Sequence, residues 1–328
     1  MEPSPTGGKI MTDDKRILIT GGAGFIGSHV AQQLATEHDV TVLDNFSVGS
    51  ERHLSFLPSD RLIDADVRDA ATVRDAVDGQ DIVIHMAAMM GVQRTLQNPL
   101  GVLQVNIDGT RHVLEAAANA DVDRVLFAST SEVYGDAPDV PYHEDDLLAP
   151  ETNYAVAKLT SERFVRAYAS SHDLDYTIVR YFNAYGPRQD SSPYGYVVPI
   201  FIDRALSGER VEVHGHGHQT RDFTFIDDAV ACTIAALGPD GRNETFNIGT
   251  GRETKIRSLA MAVADAVDGT EVVHVEHPRP YVIEQRCADV SKAESKLGYE
   301  PEMSIRDGIE RTIDYFDRQT QESSRPSQ

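Results

Sequence analysis

Arg16–Gly27, RILITGGAGFIG, is the stretch whose reading decides the fold. RILIT is a short aliphatic run of the kind that forms a buried strand. It ends directly in glycines at 21, 22, 24 and 27, and a helical pattern follows from Phe25 to about Ala35. Glycines between a strand and a helix serve three needs: a tight turn, close backbone approach to a pyrophosphate, and close helix–strand packing. The helix start then offers unpaired N–H groups and the positive end of its dipole to phosphate. Gly21, Gly24, Phe25, Ile26 and Gly27 are therefore candidate dinucleotide-binding residues.

Outward from this stretch, Val40–Leu43 is a second buried-strand candidate, and Asp44 ends it. A carboxylate there can accept both hydroxyls of the adenosine ribose and would repel a 2′-phosphate, so NAD is expected rather than NADP. Leu62–Ile63, Ile82–Ile84, Val125–Ala128 and Tyr176–Arg180 repeat the strand theme. Helical runs at Thr72–Val77, Asn106–Asn119 and Tyr154–Ser171 lie between them. This alternation predicts an α/β fold, a Rossmann-type doubly wound parallel sheet covered on both faces. Asp66 and Val67, after the third strand, should lie beside the adenine. His85–Ala88 (HMAA) ends the fourth strand, where small residues such as Ala87 let backbone approach the cofactor. His85 itself reads as a packed or supporting histidine.

After Asn183 the texture changes, with Gly186, Pro187, Pro193, Gly195 and Pro199 breaking the pattern. Shorter elements are expected near 200–206, 211–213, 227–237, 245–248, 258–267 and 305–316. The expected organisation is a disordered tail over 1–15 and an NAD-binding domain over 16–182. Elements near 222–250 return to that domain. A smaller, mainly substrate-binding lobe covers 183–318, and a polar tail 319–328. Met11, just before the first strand, is a second candidate start.

Composition excludes several classes. Hydrophobic residues make up 41% of the 328, enough for a packed core. No uninterrupted apolar stretch is long enough to span a bilayer, and MEPSPTGGKIMTDDK lacks the apolar core of a secretory signal. A cytoplasmic protein without a membrane partner is expected. The two cysteines, Cys232 and Cys287, lack the spacing of a disulfide framework or zinc site. The net charge of −22 argues against nucleic-acid binding. With its acids spread along the chain and few lysines, it resembles proteins adapted to high salt.

Tyr154 and Lys158 form Tyr-x-x-x-Lys in TNYAVAKLTSE, which places both side chains on one helix face. A phenol with a pKa of about 10 is a poor base at neutral pH. A neighbouring ammonium favours the phenolate and lowers that value. Lys158 can also hold the nicotinamide ribose. The strand ending in STSEVYG (129–135) should supply a third hydroxyl.

TGGAGFIG, HMAA, STSEVYG, YAVAK, RYFNAYGPRQ and QTRDFTFIDD together resemble the extended short-chain dehydrogenase/reductase family of sugar-nucleotide epimerases, dehydratases and decarboxylases. The likeness runs from about Arg16 to Tyr299. It implies a Rossmann-type domain with a smaller sugar-nucleotide lobe, NAD as cofactor, a nucleotide-sugar substrate and a homodimer. Counting back from Val133–Tyr134, the triad hydroxyl falls on Thr130, flanked by Ser129 and Ser131. The resemblance places Asn106 near the active site, with a helix cap as the plainer reading. Ser131, Glu132, Asn183, Val198, Arg221 and Arg279 join Thr130 as substrate-binding candidates. Arg221 and Arg279 suit the diphosphate, because guanidinium forks match adjacent phosphates. Asn45 and Tyr181 complete the cofactor set.

Departures from the family pattern narrow the chemistry. Dehydratases of the family carry an acid pair after the triad hydroxyl, and here the pair is Ser131–Glu132. Decarboxylases share STSEVYG but usually carry more acidic residues between the Tyr and the Lys than Ala155–Ala157 do. Many relatives have Gly-Asp after Arg279–Pro280, whereas this chain has Tyr281–Val282. Arg94, in the loop MMGVQRT, is the one local cation for a sugar carboxylate. His214, His216 and His218 alternate in VHGHGHQ. A hairpin turn beside the substrate site is expected there, and no metal. The expectation is an NAD-dependent 4-epimerase of a UDP-hexose. The alternative is a lyase, either a 4,6-dehydratase or a UDP-glucuronate decarboxylase. A silent dinucleotide sensor is a third reading.

Overall fold

The computed structural model describes residues 14–136, 139–190, 196–276 and 283–323. Aliphatic runs make the strands of the large sheet: β1 (Arg16–Thr20), β2 (Asp39–Asp44), β3 (Leu62–Asp64), β4 (Ile82–His85), β5 (Arg124–Thr130) and β6 (Asp175–Tyr181). Helices α1 (Phe25–Leu34), α2 (Ala70–Val77), α3 (Val92–Gln97), α4 (Pro99–Leu103), α5 (Gly109–Asn119) and α6 (Asn153–Ser171) connect them. The chain continues through β7 (Asn183–Tyr185), α7 (Val197–Leu206), β8 (Val211–His214), β9 (Thr220–Phe225) and α8 (Ile226–Ala235). It ends with β10 (Glu244–Ile248), β11 (Glu253–Lys255), α9 (Ile256–Ala266), β12 (Val272–Val275), α10 (Ser291–Leu297) and α11 (Ile305–Ser323).

Seven strands form one parallel sheet in the order β10-β6-β5-β4-β1-β2-β3. β1, β4 and β5 are buried almost end to end, as expected of a parallel sheet covered on both faces. Two apolar clusters bear this out. One includes Leu18, Val83, Phe127 and Val165; the other includes Ile17, Ile84, Val179 and Ile226. The order reverses between β1 and β4, and a crevice at their carboxyl ends is where ligands bind in such sheets. β10 follows the short strands β8 and β9 in sequence and pairs with β6 at the sheet edge.

The remaining strands form β11-β9-β7 and a two-stranded parallel β12-β8 pair, against which α7 and α9 pack. The expected hairpin at 214–218 is not formed, because β8 pairs with β12 and β9 with β7 and β11. Gly215 and Gly217, both at positive φ, turn the chain from one small sheet to the other. Helix starts follow local chemistry. Asp69 accepts from the N–H groups of Ala71 and Thr72, and Thr152 from that of Ala155. The run expected as one helix over Asn106–Asn119 falls in two pieces, a π-helical turn at Gln104–Asp108 that continues α4, and α5. Among the described residues, no helix is long and apolar enough to cross a membrane.

Candidate active site

The glycine turn and β2 build the cofactor side. Gly21 has φ +73°, and a Cβ there would come within 2.5 Å of the Ala87 nitrogen. A Cβ on Gly27 would lie 2.3 Å from the Gly21 carbonyl oxygen. Gly24 differs, since its Cβ would meet nothing closer than that same oxygen at 3.3 Å. Its open side is the approach to α1, which has no side-chain cap and no acid in its first turn. The N–H groups at Phe25 and Ile26 are thus left to a phosphate.

Asp44 is 8% exposed. Its Oδ2 accepts from the Ala23 N–H at 2.9 Å and its Oδ1 from the Phe46 N–H at 2.8 Å. Burial pushes its carboxyl upward, and those two bonds oppose the shift. Each oxygen keeps a lone pair for a ribose hydroxyl. The open glycine cradle and this acceptor pair fit an adenine dinucleotide. Asp44→Ala will weaken NAD at least about tenfold, the scale of losing hydrogen bonds to a charged acceptor, and will relax rejection of NADP. Titrating both nucleotides checks this, and a wild type that already prefers NADP overturns it.

At the ends of β2 and β3, Asn45 donates to Asp66 at 3.0 Å, and Arg68 grips the same carboxylate at 2.7–2.8 Å. Arg68 holds the Asp66 carboxyl down at about 2. Val67 is buried, and a Cβ on Gly109 of α5 would collide with its side chain, so only its backbone is available to an adenine. Ala87 donates its N–H to the Thr20 hydroxyl at 3.4 Å. His85 meets Thr20 at 2.6 Å and Thr110 at 3.0 Å through its two ring nitrogens, and burial drops it to about 3. It is a neutral packed histidine. Tyr181 turns its hydroxyl away to Thr233 of α8, at 2.7 Å.

The candidate reacting groups stand where α6 crosses the end of β5. Tyr154 is 6% exposed, and its phenol faces the Thr130 side chain. Thr130 also accepts from the Glu132 N–H at 3.2 Å. Lys158, one helical turn on, donates to the Ala128 carbonyl at 2.7 Å, and its Nζ lies 5.9 Å from the Tyr154 ring centre. Burial lowers Lys158 to about 7. Burial also pushes the phenol well above its usual range, with Tyr196 and Glu132 adding to the rise and the Thr130 side chain opposing it. This corrects the expectation that Lys158 lowers Tyr154. The ammonium is turned to a backbone carbonyl, and desolvation of the phenolate is the larger effect.

On the substrate side, the Asn183 side-chain nitrogen is a buried donor with no partner. Ser131 is buried, and Glu132 accepts from Thr152 at 3.1 Å. Val198 is 1% exposed within the core, which leaves only its backbone for a nucleobase. Arg221 donates to the carbonyls of Thr220 and Ile283. Burial, then neighbouring Arg286, lowers it to about 10. Asn106 caps no helix end. It sits in the π-helical turn, gives its side-chain N–H groups to Met89 and Val102, and keeps a buried Oδ1 without a partner. Arg279, Tyr281 and Val282 lie outside the described residues, as does the side chain of Arg94.

Residues 17–249 match the family model described as the NAD dependent epimerase/dehydratase family. The chain belongs to this family. It is 39% identical to a UDP-N-acetyl-alpha-D-glucosaminuronate decarboxylase of Bacillus cytotoxicus, over 92% of this chain and 98% of the relative. It is 36% identical to a UDP-glucose 4-epimerase of Mycolicibacterium smegmatis, over 93% and 100%. The crystal structure of a UDP-glucose 4-epimerase from Thermotoga maritima with UDP-glucose superposes with a TM-score of 0.88 at 34% identity. That match covers 93% of this chain and 99% of the other. The family member described here is an enzyme with NAD as its cofactor.

Sequence reasoning missed Arg286. It is 8% exposed, its Nε has no partner, and its Nη2 donates to the Gly135 carbonyl at 3.5 Å. Its backbone is pinned to β9, where its carbonyl accepts from the Asp222 N–H at 3.0 Å. Asp222 also accepts from the N–H groups of Thr250, Gly251 and Ala288, which fixes the segment that carries Arg286. Two mostly buried guanidiniums, with no carboxylate salt bridge to either among the described residues, could hold an anion. EQRCAD offers no spacing that would single this arginine out. The histidines of VHGHGHQ supply no cage, since no metal-holding group of three is found among the described residues.

Proposed function

We propose that the chain is a nucleotide-sugar 4-epimerase acting on a UDP-linked hexose through a transient 4-keto sugar. The observation that carries this is the buried Tyr154 phenol facing Thr130, with Lys158 one turn below. Tyr154 takes the proton of the C4 hydroxyl as the phenolate, the form that the positive charge of bound NAD would favour over the buried resting phenol, and the Thr130 hydroxyl supports the phenol oxygen. NAD, when bound, supplies the hydride acceptor. Asp44 holds it at the adenosine ribose, and Lys158 at the nicotinamide ribose. Asn183 orients the sugar nucleotide, and Arg221 with Arg286 meets its anionic part. Ser131 stands where a dehydratase has a carboxyl acid and cannot replace it at neutral pH. The named 4-epimerases among the relatives support this reading.

Arg286 favours a second reading. After C4 oxidation, a C6 carboxylate lies β to a ketone and is lost readily as carbon dioxide. A buried guanidinium whose Nε lacks a partner suits such a carboxylate, and one relative bears the name of a uronate decarboxylase. Glu132 is the nearby acid for that reaction. The NAD-bound protein should be given UDP-glucose, UDP-galactose, their N-acetyl forms and UDP-glucuronate, with products identified by NMR. The first reading expects C4 mixtures, no loss of mass and no accumulated NADH. A pentose from the glucuronate would replace it with the second. A 4-keto-6-deoxy sugar would sink both.

The same proposal takes the enzyme as a cytoplasmic homodimer whose acidic surface is a salt adaptation. Activity and unfolding midpoint should then rise from dilute buffer towards molar KCl, where repulsion is screened within about 3 Å. A protein indifferent to salt removes that part.

A further inference from the structure

Tyr154, Lys158 and Glu162 follow one another at four-residue steps along one stripe of α6. Glu162 lies outside the chemistry proposed above, yet it is fully buried and fully engaged. Its Oε1 accepts from the Ser129 hydroxyl at 2.6 Å and from Arg180 Nε at 3.0 Å. Its Oε2 accepts from Arg180 Nη2 at 2.9 Å and from Arg166 at 3.2 Å. Arg180 is anchored in turn, donating to the Tyr134 hydroxyl and the Glu144 carbonyl. A buried carboxylate held by two guanidiniums stays ionised.

Two consequences meet at the reacting groups. Ser129 lies between Ala128, whose carbonyl receives the Lys158 ammonium, and Thr130, whose side chain faces Tyr154. Gripping Ser129 therefore fixes both partners at once. Charge is the second consequence. Among the described residues, the titratable groups facing Lys158 are His85 from β4, and Tyr154 and Glu162 from α6. β5 offers Lys158 only the Phe127 ring at 4.7 Å and the Ala128 carbonyl. His85 is neutral and so is the resting phenol. Glu162, itself paired with Arg180 and Arg166, is left among the described residues as the one anion acting on the fully buried ammonium.

We propose that Glu162 is a positioning residue for the reaction. It holds the Ala128–Thr130 strand end against α6 through Ser129, and it keeps Lys158 protonated while Tyr154 works. This rests on the reading of Tyr154 and Lys158 as the reacting pair. Burial pulls Lys158 down to about 7 and Glu162 opposes that pull, so Lys158 sits close to losing its proton at neutral pH.

The test uses the NAD-bound protein, with Lys158 followed by NMR of carbon-13-labelled lysines, of which the chain has six. Glu162→Gln removes the charge but keeps the shape. Lys158 should then titrate at least about one pH unit lower, the scale of a lost opposite charge at close range. The alkaline limb of kcat should move down with it, and KM should change less than about threefold. Ser129→Ala keeps the Glu162 carboxylate on Arg180 and Arg166 and cuts the tether. It should lower kcat about 10- to 100-fold, as misplacement does, with the Lys158 titration unmoved. Should Glu162→Gln fail to fold because Arg180 is left unpaired, the double variant Glu162→Gln with Arg180→Met replaces it. The same downward shift is expected there. Any folded Glu162 variant with wild-type Lys158 titration and wild-type kcat overturns the proposal. A Tyr154→Phe control that keeps turnover would instead fault the reading of the site, and the Lys158 titration would still judge Glu162.

Discussion

Tyr154→Phe will bind NAD almost as the parent does and turn over its sugar nucleotide about 10²–10⁴-fold more slowly, the usual loss when a positioned acid–base group is removed. The substitution deletes one oxygen from a side chain that is otherwise packed. The ring stays 6% exposed on α6, and the Thr130 hydroxyl keeps its bond from the Glu132 N–H. Neither the glycine turn nor Asp44 touches the phenol, so titration of NAD should return a near-parental affinity. The deficit should fall on kcat, because the lost proton transfer occurs only in the reacting complex. Among the described residues, no other acid–base group stands ready to replace it. His85 has both ring nitrogens engaged and sits at about 3, and Glu132 is tied to Thr152. Turnover close to parental would remove Tyr154 from the role, and with it the reading of Thr130 and Lys158.

The parts of this site that sequence reasoning reached are those written as short local patterns. RILIT followed by four glycines is one continuous strand–turn–helix, and β1 and α1 begin where the pattern does. Asp44 sits one strand away, and Tyr154 and Lys158 lie within a single helical turn. What stayed hidden depends on segments distant in sequence. Arg286 reaches the site because Asp222, 64 positions earlier, pins its segment to β9. Glu162 matters because β5 and β6 pair in a register that sets Ser129 opposite Arg180. Orientation was hidden too. Spacing put Lys158 and Tyr154 on one helix face, but it could not show that the ammonium turns to the Ala128 carbonyl. The alternation in VHGHGHQ suggested a hairpin, and only the pairing of β8 with the later β12 shows otherwise.

Arg286→Met should give the second-largest effect, and its distribution between substrates carries the information. Arg286 and Arg221 are like charges held together out of water, which lowers Arg221 to about 10 through burial and mutual repulsion. The fold gains nothing from that arrangement, so methionine in place of Arg286 should leave the melting temperature unchanged or raise it. A structural arginine would behave in the opposite way. Losing one member of a buried charge contact typically costs about 2–5 kcal/mol of binding. At 1.4 kcal/mol per tenfold, kcat/KM should fall roughly 10²-fold. If the two guanidiniums share the diphosphate, the loss will be equal for UDP-glucose and UDP-glucuronate, and we expect this result because the phosphates are common to both. A loss confined to UDP-glucuronate would place the C6 carboxylate on Arg286 and favour decarboxylation. Parental kinetics on both substrates, with a lowered melting temperature, would show that the pair braces the β9 segment and reads no anion at all.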